Sequence, residues 1–290
     1  MKQQDVKGTL QAETVRDALL GHIEMAVKAI RTREPSDEQI HSARKELKRA
    51  RADLRLLRQA IGQRAYAREN AALRDAARPL SGVRDAAVLK ETVEMLIKNG
   101  RSGARRTLLL NVRRALERAR REARTELRML NAAKESVACL VTAAGRMRQW
   151  KFKESYTASL YKGLQRTYKQ GRAAFRTACA DPTNERLHEW RKEVKYLGQS
   201  MEVWKAHGSA GVKKFVKLAD KLADILGDDH DLAVFEERLE QLVSPHPIRP
   251  AITRDIIGQR VALREKALKK GHRFFNAKPR SFVRKIVHQG

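Results

Sequence analysis

Ile40-His41-Ser42-Ala43-Arg44-Lys45-Glu46-Leu47-Lys48 returns 147 positions later as Leu187-His188-Glu189-Trp190-Arg191-Lys192-Glu193-Val194-Lys195. His, Arg, Lys, Glu and Lys coincide, and the positions of Ile40, Ala43 and Leu47 stay apolar as Leu187, Trp190 and Val194. Apolar residues at alternating steps of three and four mark one face of an α-helix, so each copy reads as helix. A second echo pairs Leu80-Ser81-Gly82-Val83-Arg84-Asp85-Ala86-Ala87-Val88-Leu89 with Leu226-Gly227-Asp228-Asp229-His230-Asp231-Leu232-Ala233-Val234-Phe235 at 146 positions. A weaker third sets Arg113, Ala115 and Leu116 against Arg260, Ala262 and Leu263, again at 147. Repetition at a fixed spacing is the signature of a duplicated structural unit. The expected organisation is one domain over residues 10–275: homologous helical halves at 10–130 and 153–275, with a connecting helix at 131–152. A basic C-terminal tail, 276–290, follows.

The composition around these echoes agrees with an all-α chain. Only 16 Gly and 7 Pro punctuate 290 residues, and the dominant Ala, Leu, Arg, Lys and Glu lose little side-chain freedom in a helix. Breaks are expected near Arg33 to Ser36, Gly62, Pro79 to Gly82, Asn99 to Gly103, Asp181 to Asn184, Gly208 to Gly211, Gly227 and Ser244 to Pro250. Lys plus Arg number 62 against 34 Asp plus Glu, a net charge of +28, which points to a polyanionic partner. With 42% hydrophobic residues the chain can still build a packed interior, so it is no disordered basic tail. Cys139 and Cys179 lack CxxC spacing, which argues against a disulfide framework or a zinc site. The first ten residues carry no apolar leader, and no window approaches the ~18 apolar residues of a membrane span. A soluble protein of the reducing cytoplasm, with no membrane partner, is the expectation.

Within the first copy, Ile40, Ala43, Leu47, Ala50, Leu54, Leu57 and Ile61 form the core-facing line. His41, Arg44, Lys48, Arg51, Arg55 and Arg58 follow the same alternation one residue on, about 100° around the helix. Lys45 widens this cationic line, which at ~1.5 Å per residue extends about 25 Å. Glu46 and Asp53 project on the far flank, at the right spacing to pair with Arg49. The second copy repeats the construction with His188, Arg191, Lys192 and Lys195, cut short by Gly198 and Glu202. Basic helix faces are usually mere solvated surface. Retention of the same cations at matched positions in both halves instead asks for a positional reason, and binding a polyanion supplies one. Arg forks onto phosphate oxygens and Lys supplies point charge. His41 and His188 are expected to favour their cationic form beside phosphate and to tighten binding below neutrality. A further helix carries Arg113 and Arg114, and its counterpart carries Arg260 and Arg264; these are expected to extend the basic surface.

Catalytic alternatives find little support. Asp228-Asp229-His230-Asp231 invites a metal reading, but its echo is Gly82-Val83-Arg84-Asp85, which cannot form the same site. Capping of a helix N-terminus is the better account of Asp228 or Asp229. No GxxxxGK[ST], GxGxxG or GxSxG motif occurs, and no paired nucleophile and base stand out. Neither an enzyme, nor a metal, nor a cofactor is expected.

The doubled pattern resembles the CHAD domains, named for a histidine in an α-helical domain. The resemblance rests on H-S-A-R-K-E-L-K-R-A-R-A-D-L-R-L-L from His41 and its repeat L-H-E-W-R-K-E-V-K-Y-L from Leu187, each followed by V-R-D-A-A-V-L or D-H-D-L-A-V-F. It spans about residues 10 to 275. It implies two antiparallel four-helix bundles related by a pseudo-two-fold axis, with basic helices lining a central groove that binds inorganic polyphosphate. It also implies association with polyphosphate granules. On that resemblance the ligand contacts are His41, Arg44, Lys45, Lys48, His188, Arg191, Lys192 and Lys195, with Arg51 and Arg55 extending the first line. Many CHAD proteins adjoin a triphosphate-tunnel domain of strands rich in alternating charge. Such a segment is missing here, so a stand-alone module is expected. The second half has His230 where the first has Arg84, so the halves need not contribute equally.

Two rival readings stay open. Sequence-nonspecific nucleic-acid binding would also use a long basic stripe through counterion release. Against it, aromatics are 5% of residues, and Trp190 and Trp204 sit on the apolar line, leaving no evident platform for stacking bases. A helical scaffold whose charge only tunes solubility would bind no ligand tightly.

Overall fold

Ser36 starts the first repeated helix with a reciprocal cap. Its Oγ accepts from the Gln39 backbone N–H at 3.2 Å, and Gln39 Oε1 accepts from the Ser36 N–H at 2.7 Å, so two otherwise orphaned donors are satisfied. The computed structural model describes residues 10–99, 103–129, 131–152, 157–206, 210–243 and 246–287. Along them run α1 (Ala12–Ile30), α2 (Asp37–Ile61), α3 (Gln63–Ala77), α4 (Ser81–Asn99), α5 (Gly103–Met129) and α6 (Ala132–Arg148). Then come α7 (Thr157–Ala180), α8 (Asn184–Ala206), α9 (Ala210–Leu242), α10 (Arg249–Phe274) and α11 (Pro279–Val287). The described residues are all-α, as the composition requires, with no strand among them. None of these helices is long and apolar enough to cross a membrane.

Several expected breaks coincide with helix ends. Gly62, at φ 82°, adopts a backbone conformation that a side chain would strain and separates α2 from α3. The breaks expected within 100–102, 207–209 and 244–245 lie outside the described residues, as does the N-terminal stretch 1–9. Gly227 is different: α9 runs straight through it, because a lone glycine weakens a helix without ending it when tertiary packing holds both sides. It follows that Asp228 and Asp229 sit in a helix interior and cap nothing.

The helix order recurs along the chain. Asp37 and Asn184 open α2 and α8, 147 positions apart, and Ala132 and Pro279 open α6 and α11 at the same spacing. Where the first half has α3 and α4 with a corner at Arg78–Leu80, the second has the single long α9. Residues 131–152, expected as a connector, hold α6, which packs against α1 and α3. Residues 276–290, expected as a basic tail, hold α11, which packs against α7 and buries Phe282 and Ile286 completely.

The apolar core does not split between the halves. One cluster joins α1, α2, α3 and α6 to α7, α8, α11 and the first part of α9. A second joins Leu89 and Val93 of α4, Leu109 and Val112 of α5, Phe235 of α9 and Ile256 of α10. Helix α2 lies at the centre, packed on α1, α3, α7 and α8. Its approach to α7 is close: a Cβ on Gly163 would stand 2.7 Å from the Leu56 carbonyl oxygen.

Asp53 shows how tightly α2 is enclosed. Glu46 pairs with Arg49 at 2.8 Å as expected, but also receives His22 Nδ1 at 2.6 Å. Asp53 does not reach Arg49. Both its oxygens are buried without a hydrogen bond, 3.6 Å being the nearest approach of His22 Nε2. Burial pushes its pKa well above the usual carboxylate range, because an unpaired charge is costly in an apolar interior.

The folded C-terminal segment can be tested directly. Phe282 stacks on Tyr168 with ring centroids 3.9 Å apart, so Phe282→Ala is expected to lower stability by about 3–5 kcal/mol, read as a fall in melting temperature. A loose tail would leave the melt unchanged.

Candidate functional site

The cationic lines of the two sequence copies meet where α2 packs against α8. Lys48 of α2 keeps a solvent-facing side but is otherwise walled by protein. Loss of bulk water is the largest influence on its ammonium, and repulsion from Lys195, Arg44 and Arg191 adds to it. Together they bring its pKa from 10.5 down to about 8. Lys195 is shifted down likewise, by burial and then by Arg191. Lys48 of the first row therefore lies in the field of Lys195 and Arg191 of the second.

Matched anchors hold the two arginines. Arg44 Nη1 donates to the Ala77 carbonyl at 3.2 Å and to Ser81 Oγ at 2.6 Å, at the α3–α4 corner, and Nη2 lies 3.9 Å from Asp85 Oδ1. In the second half the residue echoing Ser81 is Gly227. A Cβ there would stand 3.4 Å from Arg191 Nη2 and 3.5 Å from its Nε, so the guanidinium rests on the surface of α9. Asp231, the echo of Asp85, is the nearest in effect of three carboxylates, with Asp228 and Asp224, that favour the Arg191 charge. Nε of Arg44 and Nε of Arg191 are both buried without a partner.

The histidines are held below the ordinary imidazole range. Burial and then Arg84 lower the pKa of His41, and burial and then Arg191 lower that of His188. His188 lies beside His230, ring centroids 4.5 Å apart, and His230 is driven down to about 4 by burial and then Arg191. The expected tightening just below neutrality is thus opposed by the neighbouring cations in the ligand-free protein.

Other expected site residues are placed differently. Lys45 is exposed beside His41. Lys192 is exposed and pairs with Glu189 at 2.6 Å. Arg51 donates to Asn70 Oδ1 at 3.0 Å. Arg55 does not extend an open line: it grips Glu193 at 2.9 Å and lies over the Tyr196 ring, 4.2 Å from its centroid. That link ties α2 to α8. Arg113 and Arg114 are exposed on α5. Arg260 and Arg264 are no basic surface. Arg260 is 7% exposed, held by Asp229, Glu236 and Asn184, and Arg264 shares Asp229 at 3.0 Å and Asn184. Asp229, read as a cap, is their counter-charge. Among the described residues no group of three or more His, Cys, Asp or Glu side chains is arranged to hold a metal ion.

Sequence reasoning missed Asp224 and the electrostatic role of Asp228 and Asp231, although their i, i+4, i+7 spacing on one helix was available. It also missed Glu193 as the partner of Arg55. Loss of bulk water, with repulsion from Lys195, Arg44 and Arg191, predicts that Lys48, followed by NMR of its Cε, titrates near 8, and that Asp85→Asn moves the midpoint lower by removing a charge that favours the ammonium. A midpoint at the ordinary 10.5 would mean the cations do not converge.

Comparison with known proteins adds family and fold. The profile of the CHAD domain matches residues 13–240. No curated protein matches the chain in sequence. Among solved structures, PptA from Streptomyces chartreusis superposes with a TM-score of 0.64 at 12% identity, over 91% of this chain and 98% of that one. The CHAD domain from the plant Ricinus communis superposes with a TM-score of 0.56 at 18% identity, over 99% of this chain and 96% of that one.

Proposed function

The chain belongs to the CHAD domain family, and from that premise we propose that it binds inorganic polyphosphate, without catalysing a reaction, in a basic groove between two halves derived by duplication. The observation that carries this reading is the meeting of Arg44 and Lys48 with Arg191 and Lys195 across the α2–α8 contact. Like charges gathered in a walled site repel, and the protein relieves part of that repulsion by weakening its hold on the Lys48 proton. A bound polyanion relieves it more completely. A phosphate chain brings one negative charge or more per unit, matches the guanidinium fork, and leaves fixed cations no choice of partner. Association with polyphosphate granules inside the cell follows from the same reading.

Duplex and single-stranded nucleic acids are the competing polyanions. Single strands are usually held by aromatic platforms, and here Trp190 and Trp204 are sealed in the core while Tyr196 lies beneath Arg55. Long-chain polyphosphate carrying a fluorescent label, at ~150 mM salt, tests the reading by competition. Unlabelled polyphosphate is expected to displace it better than DNA or RNA at equal phosphate concentration. Lys48→Gln with Lys195→Gln is expected to weaken binding roughly tenfold or more with the melting curve preserved. Preferential displacement by nucleic acid, or wild-type affinity in a folded double variant, would overturn it.

The same site predicts a pH dependence. Free Lys48 loses its charge as pH rises through about 8, and a bound anion favours the charged form. Affinity is therefore expected to fall between pH 7 and 9, with a proton taken up on binding in that range. Calorimetry in buffers of different ionisation enthalpy measures that proton directly.

A further inference from the structure

The echo at 146 positions exposes a reversal of charge between the walls of the groove. Along α9, Asp220, Asp224, Asp228 and Asp231 stand where the first half has Arg74, Arg78, Gly82 and Asp85. The spacing of Asp224, Asp228 and Asp231 sets them on one face of an unbroken helix, and Arg191 lies against that helix at Gly227. The surroundings of the matched cations differ accordingly. Lys48 meets three cations and one carboxylate, Asp85. Arg191 meets three carboxylates, and two of them, Asp231 and Asp224, also act on Lys195. In the first half Arg78 is exposed and makes no ion pair among the described residues.

We propose that the groove is polar by construction: the first-half wall, with Arg44 and Lys48 on α2 and Arg78 at the α3–α4 corner that Arg44 holds, is the primary anchor for the phosphate chain. Asp224, Asp228 and Asp231 are built-in counter-anions that the chain must displace from Arg191 and Lys195. This rests on the polyphosphate reading and adds to it a residue set that determines affinity and specificity. An anion that brings one or two charges gains the first wall alone. Only a ligand of high linear charge density outcompetes three fixed carboxylates, so the acid row selects condensed phosphate chains over sparser anions. Burial and then repulsion from Asp231 and Asp224 raise the pKa of Asp228, and burial raises that of Asp231 against the pull of Arg191 and Lys195.

Titration of labelled polyphosphate into wild-type protein and the Asp224→Asn/Asp228→Asn/Asp231→Asn variant tests this. The variant is expected to bind roughly fivefold tighter or more, and the gain is expected to vanish when Arg191→Gln and Lys195→Gln are added. Asp224→Asn alone, at an exposed position, is expected to give a smaller gain, and Arg78→Asp to weaken binding roughly fivefold. Should the triple variant fold poorly, these two single changes decide the matter. Unchanged or weaker binding on removing the carboxylates, in protein with a wild-type melting curve, overturns the inference. Absence of polyphosphate binding in the wild type overturns the reading beneath it instead.

Discussion

Where α2 packs on α8, Lys48 lies in the field of Arg44, Arg191 and Lys195, and the fold must hold these four cations near one another against their own repulsion. Two unit charges about 4 Å apart repel by ~4 kcal/mol at an effective dielectric constant of 20. The restoring force is apolar and lies on the adjacent face of each helix. Ile40, Ala43, Leu47, Ala50, Leu54 and Leu57 on α2, and Leu187, Trp190, Val194 and Leu197 on α8, are essentially sealed from solvent. Core and cation line sit about 100° apart on one rigid rod, so burial of the first dictates where the second points.

The +28 net charge is divided between two uses. One set of arginines is consumed in holding helices together. Arg55 clasps Glu193 across the halves, Arg260 and Arg264 converge on Asp229, Arg146 grips Glu69, and Arg120 and Arg124 close on Asp37 at the start of α2. These guanidiniums have carboxylates at hydrogen-bond distance and little left to offer a ligand. In the other set, around Lys48, Arg44 is anchored chiefly by a carbonyl and a hydroxyl, with Asp85 no closer than 3.9 Å. Anchoring a cation without neutralising it leaves its field available, and that is what distinguishes the candidate site from the rest of a uniformly basic molecule.

Because the motif recurs, the differences between its two settings are informative. The Arg78–Leu80 corner gives Arg44 a carbonyl and a serine to hold, whereas continuous α9 gives Arg191 a glycine and a row of acids. The second echo runs at 146 positions, one short of the helix-to-helix 147. Pairs of residues in that register, Asp85 with Asp231 and Arg84 with His230, occupy corresponding places beside the arginines and histidines.

Helix content, the two copies of the motif and the identity of their apolar and cationic faces were all present in the sequence, because they depend on the 3.6-residue period and on nothing further away. The convergence of α2 on α8 was not, since periodicity says which face is buried but not against which partner. For the same reason α6 and α11 read as a connector and a tail: only packing on α1, α3 and α7 reveals them as core. Gly227 read as a break because local propensity favours one, and tertiary contacts on both sides of it outweigh that preference. Above all, only the folded chain separates an arginine locked to Glu193 or Asp229 from a lysine left facing its own kind. A charge acquires its role from what lies within a few ångströms of it, and those neighbours come from other helices, 31 positions away for Arg260 and Asp229 and 138 for Arg55 and Glu193.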